Sequence, residues 1–174
     1  MKTFREISPV EIEGNPIHLI GREWMLVSAG TLQHFNVMTA SWGTLGELWF
    51  KPVCICFVRP QRYTYEFMEK YEAFTVSFFE ETYKPQLNFC GSRSGRETDK
   101  VAECGFSPRE AANGSVFFDE ARMVLECRKI YYQDLDARQF LDEGIEHHYP
   151  QKDYHRMYIG EITRVLVSDN DTSD

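Results

Sequence analysis

Three short segments carry residue types that could hold a flat, anionic ligand. The first, Asn36 to Gly43, reads N-V-M-T-A-S-W-G. Thr39, Ala40 and Ser41 are small, so a planar ring can approach their backbone. Peptide N–H and C=O groups can then read a heterocycle's edge. A plain strand end reads the same way. The second, Val58 to Tyr65, reads V-R-P-Q-R-Y-T-Y. An apolar strand ends at Arg59, Pro60 breaks it, and a helix starts near Thr64. A helix N-terminus with free N–H groups, a hydroxyl and two arginines suits a phosphate. The alternative is that Thr64 merely caps the helix while the arginines solvate a loop. The third, Cys90 to Lys100, reads C-G-S-R-S-G-R-E-T-D-K. Arginines, a lysine, serines and glycines crowd one loop of an acidic chain, which suggests an anionic ligand or a solvated loop.

Simple catalytic signatures do not occur. G-x-G-x-x-G, the P-loop, G-x-S-x-G and H-E-x-x-H are all missing. His147 and His148 are adjacent, so on any regular element their side chains diverge, and they read as a loop pair beside Pro150. No metal-ligand spacing is found. The cysteines, at 54, 56, 90, 104 and 127, are odd in number and lack a C-x-x-C pair, so they read as reduced, mostly buried thiols. The sequons at Asn113 and Asn170 mean little without an export signal.

The elements that position these segments are mostly strands. Trp24 to Ala29, Phe35 to Ser41, the second half of Leu48 to Val58, Phe74 to Phe78, Ala121 to Tyr132 and Tyr154 to Val167 read as strands, with a bulge or bend at Gly160. Arg62 to Tyr71 reads as a surface helix, and Pro85 to Cys90 and Thr98 to Cys104 as shorter ones. Strands without regular β-α alternation suit a small antiparallel barrel with helices at its edges. The 174 residues fit one domain over residues 1–167, followed by a frayed acidic tail, 168–174. A net charge of −8 disfavours nucleic acid. No apolar run spans a membrane and the N-terminus lacks a signal-peptide core, which makes the cytoplasm the expected compartment.

Taken in order, N-V-M-T-A-S-W, V-R-P-Q-R-Y-T-Y, S-G-R-x-x-D-K and D-Y-H-R-M-Y-I-G-E-I (153–162) resemble the flavin reductase-like, FMN-binding split-barrel family, closest to its flavoredoxin-type branch. The resemblance spans Asn36 to Ile162. It implies a six-stranded antiparallel split barrel with a few short flanking helices, a homodimer, and FMN near the dimer interface. Met38, Thr39, Ala40, Ser41 and Trp42 would then line the isoalloxazine, Asn36 would belong to the same cofactor site, and Arg59 would lie along the flavin. Arg62, Tyr63 and Thr64 would meet the phosphate end, and Ser94, Gly95, Arg96 and Lys100 would close over it, from the same subunit or from the partner. His155 would sit near the open face of the ring, or be an ordinary strand-end histidine. Two segments depart from the pattern, Gly43 to Phe50 and Glu143 to Lys152, and either could shape a substrate pocket.

The implied function is FMN-dependent oxidoreduction, with NAD(P)H as donor and flavin, iron or another small molecule as acceptor. Hydride transfer to flavin needs stacking and orientation more than acid–base side chains, in keeping with the missing catalytic motifs. The alternatives are an FMN electron carrier without nicotinamide turnover, and a non-catalytic barrel holding another planar ligand such as haem.

Overall fold

The computed structural model describes residues 2–169. Strands β1 (Phe4–Ile7), β2 (Met25–Thr31), β3 (His34–Ala40), β4 (Gly43–Leu48), β5 (Lys51–Val58), β6 (Ala73–Phe78), β7 (Pro108–Glu110), β8 (Val116–Phe118), β9 (Met123–Asp134) and β10 (Arg156–Ser168) carry the fold. Helices are short: α1 (Pro16–His18), α2 (Tyr63–Lys70), α3 (Lys84–Ser92) and α4 (Lys100–Cys104), with single helical turns between strands. Eight strands form one antiparallel sheet in the order β3-β2-β6-β9-β10-β5-β4, with β1 also paired to β10, and β7-β8 form a separate ribbon.

The sheet curls without closing. Strands β3 and β4 lie at opposite ends of the hydrogen-bonding order, yet only Ser41 and Trp42 join them. A link of two residues bridges no more than about 11 Å between Ala40 and Gly43, so the two edges must come almost together. Residues alternate between an interior and an exterior core. Val27, Met38 and Leu125 enter the interior cluster with Phe74, Phe78 and Tyr158. Their chain neighbours Leu26, Val37 and Val124 pack outside, with Leu87, Phe106 and Phe118, beneath α3 and the β7-β8 ribbon. Burial on both faces explains why β2 reads as an almost continuous apolar run.

The strands and helices expected from periodicity all form, with ends shifted by a few residues. Ten strands stand where the resemblance implied six, and the sheet remains open. The short strands β1, β7 and β8 lack an alternating pattern long enough to read. Leu48 to Val58 is not one run. Trp49 and Phe50 form the tight turn of a β4-β5 hairpin, both with positive φ (55° and 58°). Turns of this kind favour Asn and Gly, so two aromatics conceal it. The expected tail begins later than residue 168. Ser168 ends β10 with its N–H on the Arg122 carbonyl, and the Asp169 N–H reaches the Thr3 carbonyl; residues 170–174 lie outside the described residues.

Gly160 marks one of two register shifts between β10 and β9. A Cβ there would lie 2.5 Å from Cζ of Phe74 and 2.9 Å from Cβ of Cys127, both fully buried. Gly160→Ala should therefore cost roughly 1–3 kcal/mol through overpacking. Gly46→Ala, where nothing lies within 4 Å, should be nearly neutral. Chemical denaturation of both variants checks this; equal stabilities would refute it.

Candidate functional site

The candidate site lies along the link between the two sheet edges. The strip from Met38 to Trp42, which links the edges, lines a cleft of about 170 Å³ together with Phe57, Arg59, Arg62 and His155. Strand β5 delivers Phe57 and ends at Val58, which leaves Arg59 at the rim. Residue Arg62 is the N-cap of α2 in extended conformation, with no side-chain capping bond. His155 immediately precedes β10.

Arg59 is held from three sides. Its Nη1 donates to Asp153 Oδ2 at 2.6 Å, its Nη2 to the His148 carbonyl at 2.9 Å, and its guanidinium lies 5.1 Å from the Tyr149 ring centre. Burial alone would raise the Asp153 carboxyl; hydrogen bonds from Arg59 and Gln61 hold it below its ordinary value. The other oxygen, Asp153 Oδ1, is buried without a partner. His155 is nearly buried, with Nδ1 at 2.9 Å from the Tyr149 hydroxyl and its ring 5.1 Å from that of Trp42. Trp42 remains 43% exposed at the mouth, edge-on to His148 at 5.5 Å.

A second cavity, of about 590 Å³, includes Asn36, Tyr63, Gly95, Arg96 and Lys100 in its lining. The expected site residues thus divide: Met38 to Trp42, Arg59, Arg62 and His155 share the cleft, and these five share the larger cavity. Thr64 and Ser94 line neither. Thr64 is fully buried, and its Oγ1 accepts from Asn36 Nδ2 at 2.7 Å. The Ser94 hydroxyl accepts from the Arg96 N–H.

The cations of the expected phosphate end all have oxygen partners. Arg62 donates to the carbonyls of Gly91 (2.6 Å) and Cys90 (3.2 Å) at the C-terminal end of α3. Lys100 shares the Cys90 carbonyl and also bonds Val37 O; burial, opposed in part by nearby thiols, pulls its ammonium down to about 8. Arg96 pairs with Glu66, bonds Gln61 O and lies over Tyr63. Gly95 has a steric reason: a Cβ there would come 2.0 Å from Asn36 Oδ1.

Phe57 carried no signal, and Asp153 stood in the fourth motif with no role assigned. His148 and Tyr149 lie in the Glu143–Lys152 segment, which was expected to shape a substrate pocket. It folds as a helical turn, Glu143–His148, that brings the following residues against Arg59 and His155.

A family model for the flavin reductase like domain matches residues 17–174. The chain belongs to the flavin reductase-like family. The Shewanella baltica FMN-binding domain of a flavin reductases-like enzyme is 19% identical, with a TM-score of 0.69 over 95% of this chain and 78% of that one. A flavoredoxin from Desulfovibrio vulgaris (Miyazaki F) is 23% identical, with a TM-score of 0.68 over 87% and 72%. Another, from Methanosarcina acetivorans, is 20% identical, with a TM-score of 0.66 over 84% and 69%. Comparison with curated proteins found no match. The donor set of this family member suits a ring bearing an anionic tail: small residues along one wall, aromatic edges and several cations within reach.

Burial first, and then the charge of Arg59, push His155 from an ordinary 6.5 down to about 4. The imidazole is therefore neutral at pH 7. Its folded-state value lies below the unfolded one, so its stability contribution is full above about pH 6.5 and lost as pH falls through 4. An NMR titration of His155 should show a midpoint near 4 that rises in Arg59→Gln. A midpoint at the ordinary value would contradict the assigned burial.

Proposed function

We propose that this protein binds FMN in the edge cleft and catalyses NAD(P)H-dependent reduction of flavin or another small acceptor. The observation that carries the reading is the cleft itself, in which the Met38–Trp42 strip faces Arg59, Arg62 and a neutral histidine. Family membership and FMN-binding or flavoredoxin structural neighbours support it.

Bound FMN would supply a ring that accepts a hydride and passes electrons on. The chain does the positioning. Thr39, Ala40 and Ser41 offer a close backbone edge. Arg59, fixed by Asp153, holds a positive charge beside the ring site. His155 and Tyr149 form a hydrogen-bonded neutral pair at the same cleft and would help to hold a bound ring in place. A carrier without nicotinamide turnover is the second reading, favoured by the flavoredoxins among the neighbours.

Titration with FMN should quench fluorescence through Trp42, and Trp42→Phe should lose most of the quench. Riboflavin should bind about tenfold or more weakly than FMN, the worth of a charge-assisted hydrogen bond, and Arg96→Ala should weaken FMN alone. Anaerobic addition of NADH or NADPH should bleach the bound flavin. Equal affinity for the two flavins would overturn the phosphate assignment; no bleaching by either nicotinamide would favour the carrier.

The same reading makes the protein a homodimer that covers exposed aromatics. Phe50 is 98% exposed and Trp49 57%, at the tip of a turn whose φ values neither residue favours. A left-handed conformation costs a non-glycine residue about 1–2 kcal/mol. Phe50→Gly should relax the turn yet weaken the dimer, as read by light scattering at micromolar concentration. A wild-type monomer with FMN bound would contradict dimerisation.

A further inference from the structure

We infer that Cys90 and Cys104 are a redox-active dithiol that consumes hydroperoxides and closes to a disulfide across the Cys90–Lys100 loop. The chemistry stands apart from the flavin reading and depends on two side chains from different helices. Cys90 lies in α3 and Cys104 ends α4, and their sulfurs are 3.7 Å apart. Cys54, Cys56 and Cys127 are buried in the interior core, out of reach of an oxidant. Cys104 alone among the five thiols is partly exposed, and Cys90 behind it is fully buried. The pair has the exposure and the adjacent resolving thiol of a redox-sensing cysteine, without a lowered pKa.

The steps balance as follows. The Cys104 thiolate attacks one oxygen of a hydroperoxide; the O–O bond breaks, and the departing oxygen takes a proton and leaves as an alcohol, or as water from hydrogen peroxide. Cys104 becomes a sulfenic acid, oxidised by two electrons. The sulfur of Cys90 then attacks that of Cys104; the S–S bond forms, the S–O bond breaks, and hydroxide leaves as water with the proton from Cys90. Two thiols and one hydroperoxide give a disulfide, an alcohol and water. Burial raises both thiol pKa values, that of Cys90 to about 12, while Lys100 acts in the opposite sense on both. The oxidation is therefore slow at neutral pH and accelerates as pH rises.

Closing the bond requires the sulfurs to approach to about 2.05 Å, a further movement of roughly 1.6 Å. The closed loop would hold Ser94, Gly95, Arg96 and Lys100 between two fixed ends. Oxidation would thereby restrict the segment that supplies the cations of the larger cavity.

The test treats the full-length protein with hydrogen peroxide or cumene hydroperoxide at pH 7 and 9, then alkylates it under denaturing conditions for peptide mapping. Free thiols should fall from five to three, with one linked peptide pair joining Cys90 to Cys104, faster at pH 9. Tryptic cleavage after Arg93 and Arg96 should slow several-fold, and dithiothreitol should restore it. Cys104→Ser, or Cys104→Ala if the serine variant folds poorly, should lose no thiol to peroxide and show no change in cleavage. In Cys90→Ser, dimedone should trap a sulfenic acid on Cys104. Five persistent thiols, a bond to any other cysteine or between two chains, or over-oxidation of Cys104 with Cys90 free would overturn the dithiol. Formation of the bond with unchanged cleavage would overturn its effect on the loop.

Discussion

The site depends on how the last carbonyls of α3 are satisfied. A helix ends with carbonyls that lack internal partners, and a negative potential gathers there. Here Arg62, from the start of α2, and Lys100, from the start of α4, converge on the Cys90 carbonyl. Lys100 also reaches Val37 O on β3, and Thr39 of the same strand donates to Leu87 O within α3. One helix end thus ties together β3, α2 and α4. Burying an ammonium is costly, and the depressed value for Lys100 reflects that cost. The bonds to the Val37 and Cys90 carbonyls offset part of that cost.

With α3 pinned to β3, the ring strip has a fixed back. Val37 and Thr39 face the helix side, while Met38 and Ala40 face the interior. The strip then crosses from one sheet edge to the other through Ser41 and Trp42, and the cleft lies along that crossing. A reaction run by a cofactor asks for orientation to within a fraction of an ångström more than for reactive side chains. Strand edges, held by their ladders, supply that rigidity better than loops do. The segment after Glu143 contributes the other wall, and the Arg59–Asp153 pair fastens it to the end of β5.

Much of this was legible in the residues. Alternation located β6, β9 and β10, since each has a face that must be buried, and Gly160 announced its bulge through the absence of a side chain. The strip Met38 to Trp42 reads equally as a plain strand end, and the family resemblance singled it out. The β4-β5 turn did not show, because Trp49 and Phe50 lack the turn chemistry that a reader relies on. The roles of Tyr149 and Asp153 did not show either. An aromatic and an acid in a polar segment look like any surface loop, and only long-range packing against Arg59 gives them meaning. The same limit applied to Thr64, which presents as a cap or anion ligand in sequence but lies buried as the acceptor for Asn36.

The basic residues raise a last point about how an anion could enter an acidic protein. Arg59, Arg62, Arg96 and Lys100 already have oxygen partners, so an incoming phosphate would have to compete with these or take the remaining N–H groups. The costs differ by burial. Arg96 and Glu66 have side chains 44% and 57% exposed, and such a surface pair is worth only about 0–1 kcal/mol. Releasing Lys100 would take a bond from the Val37 carbonyl and leave the Cys90 carbonyl to Arg62 alone. Arg62 lies between: it caps α3 but also lines the ring cleft. On burial alone, Arg96 would be the easiest of these to release to an anion and Lys100 the hardest. The loop that looked uniformly basic in sequence thus separates into one cation free to exchange and one fixed in the scaffold.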